Sequence, residues 1–305
     1  LKDLVIIGGG PGGLTAGIYA VRSGLDVVLY ERGALGGNVL NAEKVENYPG
    51  FPGGISGPDL IARMEEHARQ VGLPIEFNDV HEITPENGCF RLRTREGEVS
   101  TRTVIIATGT GPRPLGVEGE ERLRGRGVSY CAVCDGAFFR DQPVAVVGGG
   151  DAAVEEAHYL SRFASKVYLV HPRATIRRFR VERSRIEKNP KIEMIPNTEV
   201  TGIKGDKAVE GLVLKNRESG ETRDLQVDGV FVYVGIKPNS YLVEKLVDLD
   251  DRGFIITDDR MRTSWPGIFA AGDVRRTPLR QIATAVADGA TAAIWAEKQI
   301  AHVSC

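Results

Sequence analysis

The chain repeats itself. With Gly8 laid on Gly148, an offset of 140 residues, a short apolar strand and the glycine-rich turn behind it occur twice. Leu4–Ile7 falls on Val144–Val147, and Gly8, Gly10 and Gly13 fall on Gly148, Gly150 and Ala153. Farther along, Val27–Tyr30 falls on Val167–Val170, in each copy the second strand of a βαβ unit. An isolated G-x-G-x-x-G is a weak signal, but each copy here follows a strand, opens a helix and meets a second strand at the expected distance. The first glycine permits the tight turn and the second lets the backbone approach a pyrophosphate. The third position must be small so that helix and strand pack closely, and alanine at 153 qualifies. The pyrophosphate then lies against free N–H groups at a helix N-terminus. Pro11, Gly12 and Gly13 open that helix in the first copy, and Asp151, Ala152 and Ala153 in the second. An α/β chain with two Rossmann-like nucleotide-binding domains is the expected fold.

The residue ending each second strand separates the two sites. Glu31 supplies a carboxylate for ribose hydroxyls, which fits an unphosphorylated adenosine such as that of FAD. His171 stands at the matching position of the second copy and is followed by Arg173, Arg177 and Arg178. Guanidinium groups welcome a 2′-phosphate that an acid would repel, so the second site is expected to prefer NADPH to NADH. Arg180, Arg183 and Arg185 read as a solvated helix face.

Between the two copies lies Cys131-Ala-Val-Cys134, followed by Asp135. Two cysteines separated by two residues can close a disulfide, and a neighbouring carboxylic acid can carry the proton. One nucleotide to deliver electrons, another to receive them and a dithiol at the end describe an electron path. Half of a zinc site is the alternative, but no second cysteine pair or spaced histidine pair is present to complete it. Asp135 also reads as an N-cap for Gly136–Phe139, which is compatible with acid–base work. Cys89, at a turn entering a strand, reads as structural, and Cys305 as a lone thiol without a resolving partner.

Four cysteines in 305 residues suit a reducing cytosol and a catalytic rather than structural disulfide, so a cytoplasmic protein is expected. No signal peptide is visible, and no apolar run approaches the ~20 residues that span a bilayer. A net charge of −2 gives no field that would draw nucleic acid or an anionic membrane.

Thr103–Gly109 reads as a buried strand ending in a small-residue turn, and Gly267–Asp273 as another, with a helix beyond it from about Gln281. Both look like parts of the first domain, which makes the second an insertion. Residues 1–110 and 241–305 would form the FAD domain, and 111–240 the NADPH domain that carries the cysteine pair. The chain would cross at Thr110–Pro114 and around Lys237–Ser240, a double linker able to act as a hinge.

With these residues in view, the chain resembles the bacterial-type, low-molecular-weight thioredoxin reductases, essentially end to end. The likeness is carried by Gly8–Gly13, Gly36-Gly37, Val45–Gly50, Ala107-Thr108-Gly109, Cys131–Asp135, Gly148–Glu156, Phe269–Val274 and Arg280-Gln281. It implies a homodimer that passes electrons from NADPH through FAD and the Cys131–Cys134 dithiol to oxidised thioredoxin. Gly37, Asn38 and Asn47 would lie near the flavin, Asn38 standing where the family often has glutamine. Gly272 and Asp273 would hold the ribityl chain, the backbone of Arg280, Gln281 and Ile282 would approach the ring, and the Val80 backbone would meet the adenine. Asn47 and Val80 are also open to purely structural roles. Val234 and Gly235 form the nicotinamide-domain turn, with Ile236 where histidine is frequent. Family members commonly hold the 2′-phosphate with three arginines. Here Pro172 replaces the first, leaving Arg173 and Arg177 with Arg178 close by.

The resemblance also makes Cys134 the flavin-facing sulfur, Cys131 the exposed sulfur that attacks the substrate, and Asp135 the acid–base group. Arg126 matches a position near the thioredoxin footprint, or is a solvated loop arginine. Disulfide and nicotinamide, both on the inserted domain, must reach one flavin, so that domain is expected to rotate on its two linkers and present them in turn. A flavin-dependent dithiol oxidase would share the fold and the cysteines but needs no second nucleotide site. Gly148–Ala153 with Arg173 and Arg177 weigh against it. A reductase for another thioredoxin-like partner is the other alternative.

Overall fold

In the computed structural model the described residues are 1–175, 186 and 188–301. They form two compact units, one of residues 1–111 together with the chain from 237 on, the other of residues 112–236.

The first unit opens with β1 (Lys2–Ile7), α1 (Pro11–Arg22) and β2 (Val27–Tyr30). All of β2 and the last four residues of β1 are buried, as expected of parallel strands covered on both faces. Helix α2 (Gly57–Gln70) starts at Ser56, whose side chain accepts the Asp59 N–H, and leads to β3 (Ile75–Glu76). β4 (Val80–Glu86), β5 (Cys89–Thr94) and β6 (Gly97–Ile106) follow as an antiparallel meander. The sheet order is β3-β2-β1-β6-β5-β4, with β1 parallel to both β2 and β6. The chain leaves this unit along β7 (Thr110–Pro112).

The second unit contains β8 (Val128–Ser129), α3 (Ala132–Asp135), β9 (Pro143–Val147), α4 (Asp151–Leu160), β10 (Lys166–Val170) and β11 (Ile192–Ile195). An antiparallel trio, β12 (Thr198–Lys204), β13 (Gly211–Asn216) and β14 (Thr222–Leu225), precedes β15 (Gly229–Val232). The parallel sheet runs β11-β10-β9-β15-β8, so β9, α4 and β10 repeat the β1, α1 and β2 arrangement. The chain returns along β16 (Ile236–Pro238), which pairs with β7.

Back in the first unit, β17 (Ile268–Ala270) adds in parallel to β6, and α5 (Ile282–Ile300) follows. The return falls at 236/237 rather than at 240/241 because Asn239 is bonded into the first unit. Its Nδ2 donates to the Thr108 carbonyl at 2.9 Å, its carbonyl accepts from Thr108 Oγ1 at 2.7 Å, and its N–H donates to the Gly109 carbonyl at 3.0 Å. No helix among the described residues is long and apolar enough to cross a membrane.

Candidate active site

In the second unit Cys131 and Cys134 are joined as a disulfide, their Cα atoms 5.3 Å apart. Cys131 is extended (φ −142°, ψ 100°) and caps the single turn of α3, where its Sγ accepts the Cys134 N–H at 3.2 Å. That bond folds the Cys131 sulfur back over the turn. In the chain alone, Cys131 is half-buried and Cys134 exposed.

Asp135 stands at the N-cap position of the turn Gly136–Phe139, but its side chain makes no capping bond there. Its Oδ2 instead accepts from Ser129 Oγ at 2.6 Å, and the same Oγ accepts the Cys131 N–H at 3.1 Å. The next amide, Ala132 N–H, donates to the Tyr233 hydroxyl at 2.9 Å. Burial pushes the Tyr233 phenol well above its ordinary pKa, and the charges of Glu156 and Asp135 add to that. Tyr130, just before the pair, donates to Glu120 Oε1 at 2.7 Å. Glu120 is buried and also accepts the N–H groups of Leu115 and Gly116, which anchors the segment entering this unit. Arg126 is exposed.

In the first unit the two ends of the chain bring together residues from both sides of the insertion. Gly10 is the N-cap of α1 and Pro11 its first residue, with Gly12 and Gly13 behind it. No side chain caps this helix and no acid lies in its first turn, so its leading N–H groups are open to an anion. Glu31, just past β2, accepts the N–H of Gly9 through Oε2 and of Gly33 through Oε1, both at 2.8 Å, which fixes the carboxylate beside the turn. These groups fit a dinucleotide: free amides for the pyrophosphate and an oriented carboxylate with lone pairs to spare for ribose.

The other candidates of this unit lie at strand and helix ends. Val80 begins β4, Ala107-Thr108-Gly109 leave β6, and Asn38 Nδ2, one residue after Gly37, donates to both Thr110 oxygens. Asn47 Nδ2 donates to Gln281 Oε1 at 2.9 Å, and Gln281 caps α5, which begins at Ile282. Arg280 stacks on Phe254, its guanidinium carbon 4.0 Å from the ring centroid. Burial raises the pKa of Asp273, against a lowering by Arg280 and with a further rise from Asp288. Asp288 itself forms a buried pair with Arg275 at 2.7 Å and accepts the Gly272 N–H at 3.1 Å, which secures the Gly272–Val274 turn from behind. No motif marks Ser129, Tyr233 or Asp288: Tyr233 meets Ala132 across 101 residues, while Ser129 lies only six residues from Asp135 but carries no signature of its own.

In the second unit Gly148 leaves β9, Gly150 caps α4 without a side-chain bond, and Asp151, Ala152 and Ala153 form its first turn. Val234 and Gly235 follow β15, where the Gly235 carbonyl accepts the Arg113 N–H. Arg173 is exposed, while Arg177, Arg178, the arginines at 180, 183 and 185, and Cys305 lie outside the described residues. Cys89 is buried and is itself disulfide-bonded, so bridging is not confined to the redox pair as the cysteine count suggested.

His171, at the end of β10, is buried, and its Nδ1 has no hydrogen-bond partner among the described residues. Burial lowers its pKa from the usual 6.5, opposed by a backbone bond involving Arg173 and assisted by the charge of Arg173. The folded chain therefore keeps this ring neutral while the unfolded chain protonates it. The resulting stability is present above about pH 6.5 and is lost as the pH falls below it. Thermal unfolding followed from about pH 7.5 to 5.5 should show a smaller loss of Tm for His171→Gln than for the wild type.

A family model, pyridine nucleotide-disulphide oxidoreductase, matches residues 2–289. The thioredoxin reductase of Listeria monocytogenes is 46% identical over 301 residues, 98% of this chain and 94% of that protein. Among solved structures, Lactococcus lactis thioredoxin reductase is 45% identical with a TM-score of 0.95, covering 99% of this chain and 100% of its own. The Streptococcus pyogenes enzyme is 46% identical with a TM-score of 0.65, covering 99% and 98%. The chain belongs to the pyridine nucleotide-disulphide oxidoreductases and, within them, to the low-molecular-weight bacterial thioredoxin reductases.

Proposed function

We propose that the first unit binds FAD, the second binds NADPH, and the Cys131–Cys134 pair reduces the disulfide of a thioredoxin. The observation that carries this reading is the closed disulfide, with Asp135 hydrogen-bonded beside it, in a unit that also holds a nucleotide-type turn. FAD would supply two-electron transfer from NADPH to that disulfide. Gly8 to Gly13 and Glu31 would hold its adenosine diphosphate part, with Val80 at the adenine. Gly37, Asn38, Asn47, Ala107 to Gly109, Gly272, Asp273 and Arg280 to Ile282 would hold the rest. On the other unit Gly148 to Ala153, Val234, Gly235, His171 and Arg173 would receive NADPH, with Arg177 and Arg178 adding charge for the 2′-phosphate.

Once the pair is reduced, Cys131 attacks the partner disulfide, since its sulfur already accepts an N–H that favours a thiolate, and Cys134 resolves the mixed disulfide. Asp135 takes up and returns the proton. Phe138, exposed at 79% just beyond the pair, offers an apolar face for a protein substrate, with Arg126 as a polar contact. The protein would act as a cytoplasmic homodimer, and the second unit would rotate on its two linkers between half-reactions.

The test is anaerobic oxidation of NADPH by the FAD-loaded protein, with and without oxidised thioredoxin. Rapid, thioredoxin-dependent oxidation is expected, and crosslinking the two units should stop turnover while sparing one half-reaction. A flavin that ignores NADPH would favour the dithiol oxidase. A flavin that reduces but passes no electrons to thioredoxin would point to another thioredoxin-like partner, and full turnover in a locked protein would refute the rotation.

A further inference from the structure

Ser129 ends β8, two residues before Cys131, and is buried at 5% exposure. Its Oγ accepts the Cys131 N–H at 3.1 Å and donates to Asp135 Oδ2 at 2.6 Å, with the Cys131 carbonyl oxygen at 3.2 Å as a second acceptor within reach. A hydroxyl has one proton and two lone pairs, so it serves one acceptor at a time. With Asp135 ionised, the short charge-assisted bond to the carboxylate prevails. With a proton on Oδ2 the direction reverses: the carboxyl O–H donates to Oγ, and the serine proton turns to the Cys131 carbonyl. Both protonation states of Asp135 are then hydrogen-bonded without any side chain leaving its place.

We propose that Ser129 is a positioning residue for the proton step, holding Asp135 by Oδ2 in either state and leaving Oδ1 to serve the sulfurs. This rests on the reading of Asp135 as the acid–base group. Two electrons entering the disulfide break the S–S bond and leave two sulfur anions. Asp135 gives one of them its proton and becomes a carboxylate, to which Ser129 donates again. Among the described residues, Tyr233 after β15 feels the charge of Asp135 and that of Glu156 on α4, and the two cysteines stand one and four residues before Asp135 in the chain. Tyr233 is held protonated by burial and by these acids, so it does not compete for the proton in the working range.

The experiment measures the rate of alkylation of the redox cysteines in the reduced full-length protein as a function of pH, alongside turnover. Asp135→Asn should remove one inflection from the wild-type profile. Ser129→Val deletes the hydroxyl and should move that inflection up by about one pH unit, because the ionised carboxylate loses its charge-assisted donor. Ser129→Thr, of the same bulk but with the hydroxyl, should leave it in place. If valine prevents folding, Ser129→Ala takes its role. An inflection that survives Asp135→Asn would remove the acid–base reading itself. An inflection that Asp135→Asn removes but the valine or alanine variant leaves unmoved would overturn the inference about Ser129 alone.

Discussion

Cys131→Ser is expected to abolish thioredoxin-dependent NADPH oxidation, a loss on the order of 10⁴-fold or more, while FAD stays bound and reducible. A serine oxygen can neither form the disulfide that accepts the electrons nor, at neutral pH, act as the nucleophile that opens the partner's disulfide. The fold should tolerate the change, because the replacement oxygen can still accept the Cys134 N–H as an N-cap. Cys134→Ser should differ in kind. Turnover is lost as well, but Cys131 keeps its thiol and its hydrogen bond, so it can attack once and remain joined to thioredoxin. A gel without reductant separates the two outcomes: a covalent complex with the 134 variant and none with the 131 variant. The opposite result would make Cys134 the attacking residue and would reverse the assignment.

Local spacing made much of this legible. The glycine turns, the apolar strands around them and the acid just past β2 lie within about thirty residues of one another, and Glu31 accepts the Gly9 N–H beside the first turn. Thr103–Gly109 and Gly267–Asp273, far apart in the chain, could both be placed in the first domain because both read as apolar strands, and there β17 does pair with β6. What the sequence hid are contacts with no fixed spacing. Ala132 meets Tyr233 across 101 residues, Thr108 meets Asn239 across 131, and Asn47 meets Gln281 across 234. Asp135 shows the limit at short range too. An acid before a turn reads as a cap, but its side chain bonds instead to a buried serine six residues earlier, at the end of β8.

Gly13→Ala should cost the first unit both stability and its cofactor. A Cβ built on Gly13 falls 1.9 Å from the Gly8 carbonyl oxygen and 3.1 Å from the Gly8 carbonyl carbon. Both obstacles are backbone, so no side chain can turn aside, and α1 has to lift off the end of β1. Overpacking of this kind costs roughly 1–3 kcal/mol where side chains can yield, and a clash with backbone belongs at or above the upper end. In a unit of this size that corresponds to a Tm about 5–10 °C lower. Lifting α1 also withdraws its uncapped N–H groups, the part of the site that fits a pyrophosphate, so FAD should dissociate on gel filtration. The second copy supplies the control, since Ala153 stands in the matching position and is fully buried beside Gly148. Ala153→Gly removes only a methyl group and some helix propensity, a cost of about 1 kcal/mol, and should leave FAD in place. A Gly13→Ala protein that keeps both its Tm and its FAD would mean that α1 has the same slack as α4, and that the tight glycine turn is not what seats the dinucleotide.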